Sequence, residues 1–127
     1  MLHIDSNNFN GMLPKEFFSL KSLRRLWMES NYFTGNIEYF TKLKLLKTLV
    51  LDNNQFGEEI PDNLVKLKSL QVLRVNDNRF VGVFPIHVLY KMKALKEFNC
   101  MNNRYMNQNS IKRVMEWVKE NGLKGSR

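Results

Sequence analysis

The sequence is poor in residues that form covalent cross-links and catalytic or metal centres, with one cysteine and two histidines among 127 residues. Because Cys100 has no second cysteine to pair with, an intramolecular disulfide is excluded, which favours a reducing compartment. The N-glycosylation acceptor Asn-x-Ser/Thr is also absent, although asparagine is frequent. No apolar run reaches the roughly 18 residues that span a bilayer, since the longest comparable stretch, Leu43 to Leu51, is interrupted by lysines. We therefore expect no membrane segment in this chain and a cytoplasmic location.

Acidic residues are outnumbered, with 12 Asp and Glu against 20 Lys and Arg, which gives a net charge of +8. Many lysines lie in segments such as 42–44, 66–68 and 91–93, interleaved with apolar residues at helix-like spacing. The simplest interpretation is a solvated outer face. The alternative is a surface that binds nucleic acid or acidic lipid. These segments lack the interleaved aromatics and clustered arginines typical of nucleic-acid surfaces, so nucleic acid is the less favoured partner.

An asparagine precedes an aromatic residue by two positions five times along the chain, at spacings of 24, 23, 24 and 25 residues. The pairs are Asn7/Phe9, Asn31/Phe33, Asn54/Phe56, Asn78/Phe80 and Asn103/Tyr105. A unit of this length cannot bury its apolar face alone and buries it against a neighbouring copy. The period therefore predicts a stacked repeat protein.

Each period reads as a short strand, a turn and a compact return segment. In the third copy, Leu49 and Leu51 alternate with side chains that point the other way, which is typical of a strand with one buried face. Leu64, Leu67 and Leu70 then recur every three residues, as suits a 3₁₀ turn. The asparagine carries a donor and an acceptor that can satisfy backbone groups where the strand ends. We predict a structural ladder formed by Asn7, Asn31, Asn54, Asn78 and Asn103.

Two segments carry the resemblance to a known family. Residues 2–14 read Leu-x-Ile-x-x-Asn-x-Phe-x-Gly-x-Leu-Pro, and residues 49–61 read Leu-x-Leu-x-x-Asn-x-Phe-x-x-x-Ile-Pro. Both resemble leucine-rich repeats, and the Gly-x-Ile-Pro element resembles the plant-type subclass of receptor-like kinases and receptor-like proteins. Glu38 and Glu58 depart from the pattern, where proline and glycine are expected. The resemblance implies an α/β solenoid, with short parallel strands on the concave face and irregular, 3₁₀ or helical returns on the convex face.

The expected organisation is a single domain, 1–127, built from five repeats and a capping helix. The repeats are placed at 1–23, 24–46, 47–70, 71–95 and 96–109, and the helix at 110–121, with Ser110 as its cap. At the other end Leu2, Ile4 and Phe9 are expected to leave an uncovered apolar edge. This favours further repeats upstream over a small complete protein, and it makes self-association through that edge an expectation.

Candidate binding residues come from the outward side chains of successive strands, which line up in columns on the concave face. The set is Trp27, Arg74, Asp5, Glu29, Asp52, Arg25, Val50, Asn76 and Asn99. Trp27 and Arg74 belong to the residue types that dominate binding energies, although Trp27 also suits the role of covering a neighbour. The acidic residues repel one another, which a positively charged partner group would relieve.

Catalysis is not indicated. His3 and His87 lie in different parts of different repeats, so neither a Ser/His/Asp triad nor a histidine metal site is predicted. Cys100 occupies the place that Ile4 holds in the first copy, as expected of a buried core thiol. We therefore predict a module, not an enzyme and without cofactor or metal, that binds a protein or peptide through its concave face. One alternative is a fragment of the ligand-sensing ectodomain of a receptor-like kinase or receptor-like protein, which would be extracellular.

Overall fold

The computed structural model describes residues 1–7 and 9–125 of the chain. In chain order the elements are β1 (Leu2–His3), β2 (Asn10–Gly11), a first 3₁₀ helix (Lys15–Ser19), β3 (Arg25–Trp27), β4 (Tyr32–Gly35), a second 3₁₀ helix (Ile37–Lys42), β5 (Thr48–Val50), β6 (Gln55–Phe56), a third 3₁₀ helix (Asp62–Lys66), β7 (Val72–Arg74), α1 (Ile86–Lys91), β8 (Glu97–Asn99) and α2 (Gln108–Glu120). Within these residues no helix combines the length and the apolar character needed to cross a membrane.

The main sheet is parallel, in the order β1-β3-β5-β7-β8. The central residue of each later strand points into the core, and Leu26, Leu49, Leu73 and Phe98 are fully buried there. Because each strand lies beside its equivalent in the next repeat, the return segments stack as well. The first two 3₁₀ helices contact each other, and the third contacts both the second and α1. The predicted α/β leucine-rich-repeat solenoid is confirmed.

A second parallel sheet, which the sequence did not predict, follows the turn of each repeat. It consists of β2, β4 and β6, and isolated parallel bridges continue it from Glu59 to Val81 and from Gly82 to Met106. The sequence predicted only a turn between the strand and the return segment of each repeat. Gly35 has a positive φ of 108° and is the last residue of β4, where it still pairs with Phe56.

The ladder asparagines bond to the backbone of two repeats at once. The Asn54 amide nitrogen donates to Leu51 O at 3.1 Å in its own repeat and to Met28 O at 2.8 Å in the preceding one. Its Oδ1 accepts from Phe33 N at 3.1 Å. Asn31, Asn78 and Asn103 make equivalent bonds. Strand carbonyls are thus shared, since Leu51 O also accepts from Asn78 Nδ2 at 3.0 Å.

Asn7 differs from the other members. Its side chain is exposed and donates to Asp5 O at 2.7 Å. The remaining asparagines use their side chains to reach back into the preceding repeat, whereas Asn7 lies in the first of the described repeats. The residue before each ladder asparagine adopts a left-handed conformation, with φ between 54° and 62°, at Ser6, Ser30, Asn53, Asp77 and Asn102. These are short polar residues, several of which tolerate that conformation well.

The C-terminal helix starts earlier than predicted. α2 spans Gln108–Glu120, and its N-cap is Asn107, whose Oδ1 accepts from Ser110 N at 2.9 Å. The prediction that Ser110 caps the helix is therefore wrong. Ser110 is instead buried. Its hydroxyl donates to Asn107 O at 2.8 Å and accepts from Phe84 N at 3.1 Å.

After α2 the chain returns to the main sheet. Phe98 N donates to Lys124 O at 2.9 Å, and Lys124 N donates to Lys96 O at the same distance, so residues near Lys124 run parallel to β8 at the sheet edge. Cys100 lies in the core, where burial raises the pKa of its thiol to about 12. At the opposite end Phe9 is 49% exposed, and Leu2 and Ile4 are only partly buried.

Candidate binding face

The strand register places the predicted side chains in columns across the concave face. One column runs through His3, Trp27, Val50, Arg74 and Asn99, and a second through Arg25, Thr48, Val72 and Glu97. The third column lies directly after the strands and holds Asp5, Glu29, Asp52, Asn76 and Met101. In each of these residues except Asp5, the backbone carbonyl oxygen accepts a hydrogen bond from a backbone amide of the preceding repeat. At about 4.8 Å per strand, five strands span about 19 Å. The predicted residues therefore form a strip rather than one pocket.

Trp27 both covers a neighbour and faces the strip. Its ring stacks on His3 with centroids 4.1 Å apart and an interplanar angle of 2°. His3 Nδ1 lies 3.4 Å from Asp5 Oδ1, which holds the imidazole in this position. Trp27 remains partly exposed, so the rest of its surface is accessible to a ligand.

Arg74 is held between two carboxylates. Its guanidinium lies 3.2 Å from Asp52 Oδ2 and 3.8 Å from Glu97 Oε2. The structure brings Asp52 and Arg74, which lie in neighbouring columns, together as direct partners. Glu97 was not among the predicted binding residues. Its position diagonal to Arg74 becomes visible only once the register is known.

Burial raises the pKa of Glu29 and of Asp52. For Glu29 the negative charges of Asp5 and Asp52 add to this effect, and for Asp52 the adjacent Arg74 opposes it. Both carboxylates therefore hold their protons more tightly than exposed ones do. The strip concentrates acidic groups in partly desolvated positions.

Other predicted members offer less surface. Val50 is 5% exposed and lies between Trp27 and Arg74 in its column. Asn99 is buried, and its Oδ1 accepts from Met101 N at 2.9 Å. Arg25 is the exception among these residues, since it is exposed at the start of β3.

A depression of 340 Å³ opens at the C-terminal end of the strip. It is lined by Arg74, Asn76, Asp77, Glu97, Asn99, Met101, Asn102, Lys124 and Gly125. Of these, Arg74, Asn76 and Asn99 were predicted, whereas Asp77, Glu97, Met101, Asn102, Lys124 and Gly125 were not. Nothing in the local sequence around Lys124 shows that the chain returns to the sheet after α2.

The lysines of the return segments lie away from the strip. Lys44, Lys68 and Lys93 are exposed and follow the return helices, outside the strand columns. Within residues 1–7 and 9–125, no group of three or more His, Cys, Asp and Glu side chains is arranged to hold a metal ion.

Comparisons with known proteins agree with this architecture. The Leucine Rich Repeat family profile matches residues 45–67. The ectodomain of the Arabidopsis thaliana receptor kinase GASSHO1/SCHENGEN3, solved with CASPARIAN STRIP INTEGRITY FACTOR 2, is 29% identical with a TM-score of 0.73 over 80% of this chain. The Arabidopsis receptor kinase HAESA, solved with the peptide hormone IDA and a co-receptor, is 33% identical with a TM-score of 0.74, also over 80%. No curated protein matches the chain.

The solved relatives are much longer than this chain. It spans 12% of the first receptor structure and 17% of the second. A plant ice-binding protein with 26% identity and a TM-score of 0.66 is also similar, over 72% of this chain and 29% of its own. The architecture is therefore shared by proteins with different ligands. The repeat pattern, the parallel strand stack and these likenesses agree: the chain is a stack of leucine-rich repeats that is similar to those of plant receptor kinases.

Proposed function

We propose that the chain binds a peptide or protein through its concave strand face. The observation that carries this proposal is the strip itself, in which Trp27 and Arg74 lie among buried and partly buried acidic groups on a continuous sheet. Aromatic and arginine side chains in partly desolvated surroundings are the residues that dominate binding energies. A strip of about 19 Å matches about six residues of an extended peptide.

The solved relatives support this proposal. The first receptor structure was solved with CASPARIAN STRIP INTEGRITY FACTOR 2 and the second with the peptide hormone IDA, and each is about 30% identical to this chain over 80% of its length. Because the chain spans less than a fifth of either receptor, we propose for it local ligand contacts rather than the activity of a whole receptor.

Two narrower proposals follow from the same likeness. The repeats serve ligand sensing as part of a receptor-like ectodomain, which places them outside the cell, and they do so by binding without catalysing a reaction. The remaining members of the predicted set, including Asp5, Arg25 and Asn76, then shape the strip around the two anchors. The asparagine ladder supports the strip by holding successive strands in register.

Peptide selection tests the proposal. The full chain is used to select from phage-displayed random dodecapeptides, and the affinities of the enriched peptides are measured by calorimetry. We expect Trp27→Ala and Arg74→Ala each to weaken binding by about 2 kcal/mol, as is typical of a central anchor. Unchanged unfolding midpoints would show that the variants keep their fold.

The matched control reverses charge on the opposite face, at Lys44, Lys68 and Lys93. These changes should leave peptide affinity unaltered. If the lysine variant loses binding and Trp27→Ala does not, the convex face is the binding surface. Retention of the wild-type chain on heparin with steep salt dependence would then support nucleic acid or acidic lipid as its partner.

A further inference from the structure

Three successive repeats leave a row of hydrogen-bond acceptors without partners on the concave face. Among the residues that the structure describes, Glu29 Oε1, Asp52 Oδ1 and Asn76 Oδ1 are shielded from solvent and accept no hydrogen bond from the protein. The three residues occupy the same position after β3, β5 and β7, so strand spacing separates them by about 4.8 Å each. Asp52 and Asn76 are each only 8% exposed.

This row is costly in the free chain. A buried polar group without a partner costs on the order of 1–3 kcal/mol, and the cost is greater for a charged one. Most buried polar groups in folded proteins are hydrogen-bonded, so three orphaned acceptors side by side need an explanation. Sites that violate the rules of packing at the expense of stability are commonly functional.

The cation already present does not neutralise the row. Arg74 contacts the other oxygen of Asp52 and also Glu97, and its own Nε has no partner in the described part of the chain. Within residues 1–7 and 9–125, Glu29 receives no comparable contact from a cationic side chain. Because Arg74 lies between two carboxylates, it is also poorly placed to attract an anionic ligand.

Charge is divided between the two faces in a way that fits a basic ligand. Four acidic residues lie in the columns, against two arginines there and Lys124 at the C-terminal end of the strip, within a chain of net charge +8. The acidic members are Asp5, Glu29, Asp52 and Glu97, and the arginines are Arg25 and Arg74. A cation is therefore attracted to the concave strip and repelled by the lysines of the returns, which favours one docking orientation.

We propose, on the basis of the function proposed above, that the bound peptide or protein places a lysine or arginine side chain against Glu29, Asp52 and Asn76. An ammonium carries three donors and a guanidinium five, so one cationic group can bond two adjacent acceptors of the row, and neither group brings an acceptor that would leave a further group unpaired. Charge-assisted bonds of this kind are the stronger class of hydrogen bond. The ligand cation also relieves the repulsion between the two carboxylates.

The experiment uses dodecapeptides selected from a random phage library with the full chain. Those that Trp27→Ala weakens are synthesised with a fluorescent label, and their affinities are measured by anisotropy at physiological ionic strength. A second version of each peptide replaces lysine by norleucine and arginine by citrulline. The protein variants are Glu29→Gln, which leaves the Arg74–Asp52 pair intact, and the double variant with Asp52→Asn. Glu16→Gln with Asp62→Asn removes two exposed carboxylates elsewhere as a control.

We expect the selected peptides to contain lysine or arginine. Neutralising that residue, or making the double substitution at positions 29 and 52, should each weaken binding about tenfold or more, and the two changes together should add little, as expected of direct partners. The control variant should bind like the wild type. If the peptides lack basic residues, or bind the double variant as well as the wild type, this inference fails while concave-face binding stands. If no enriched peptide is weakened by Trp27→Ala, both proposals fail.

Discussion

Asn54→Ala should destabilise the protein strongly, because Asn54 lies in the middle of the ladder. The substitution removes the Oδ1 acceptor of Phe33 N, a buried amide. It also removes the bonds that the Asn54 side chain donates to Met28 O and Leu51 O. Each of these carbonyls keeps a second asparagine donor, Asn31 for Met28 O and Asn78 for Leu51 O. An orphaned buried amide costs about 1–3 kcal/mol, and each weakened acceptor adds about 0.5 kcal/mol or more. We expect a total loss of about 3 kcal/mol.

The matched control is Asn7→Ala, which changes the same residue type at the same position of a repeat. The Asn7 side chain is exposed and donates one bond, to Asp5 O, so we expect a loss below about 0.5 kcal/mol. Urea unfolding followed by circular dichroism measures both values. With a slope of about 1.5–3 kcal/mol per molar, Asn54→Ala should lower the midpoint by about 1–2 M. Equal shifts for the two variants would refute the shared-carbonyl account of the ladder.

Three further predictions concern the edge, the acidic strip and the turns. Hydrogen exchange should show weaker protection over residues 1–20 than over 70–100, because the first repeat has an uncovered apolar edge, and uniform protection would contradict this. Glu29→Gln should raise the free energy of unfolding at pH 7, because the raised pKa of Glu29 means that its ionisation disfavours the folded state. The gain in stability should shrink as the pH falls towards the ordinary pKa of 4.5. A variant that is less stable than the wild type at neutral pH would show that the sign is wrong. Gly82→Ala should destabilise the fold by about 1 kcal/mol, because φ is +79° and a Cβ would lie 3.2 Å from the Glu59 side chain. Glu58→Gly, at a φ of +61°, should leave the melting temperature unchanged or higher. The reverse order of melting temperatures would contradict the assigned turn conformation.

The regular features of the fold could be predicted from the sequence because they repeat. Every repeat carries the same pattern of apolar residues for its strand, so a weak pattern in one repeat can be interpreted from the other repeats. The alternation around Leu49 and the spacing of Leu64, Leu67 and Leu70 each reflect a local periodicity, and the structure buries all of these side chains.

Features that depend on contacts between repeats were harder to predict. The second sheet forms from backbone groups whose pairing leaves no pattern of apolar residues. The helix cap depended on which of two polar residues, Asn107 or Ser110, faces solvent, and burial of Ser110 against Phe84 decided it. The return of Lys124 to the sheet follows α2 and has no equivalent in any repeat, so no second copy could reveal it.

The candidate strip was predictable in outline but not in its interactions. Column membership follows from side-chain alternation and the repeat period. The contact between Arg74 and Asp52 requires the orientation of two long or branched side chains, which neither pattern encodes. The same holds for the stacking of Trp27 on His3.

Chemical-shift mapping of a bound peptide tests the central claim most directly. Backbone amide spectra of the full chain would be recorded during titration with a selected dodecapeptide. The account predicts that the largest shifts fall in β3, β5 and β7 and in the residues directly after them, with little change near Lys44, Lys68 and Lys93. Shifts confined to the return segments, with the strands unaffected, would contradict binding at the concave face.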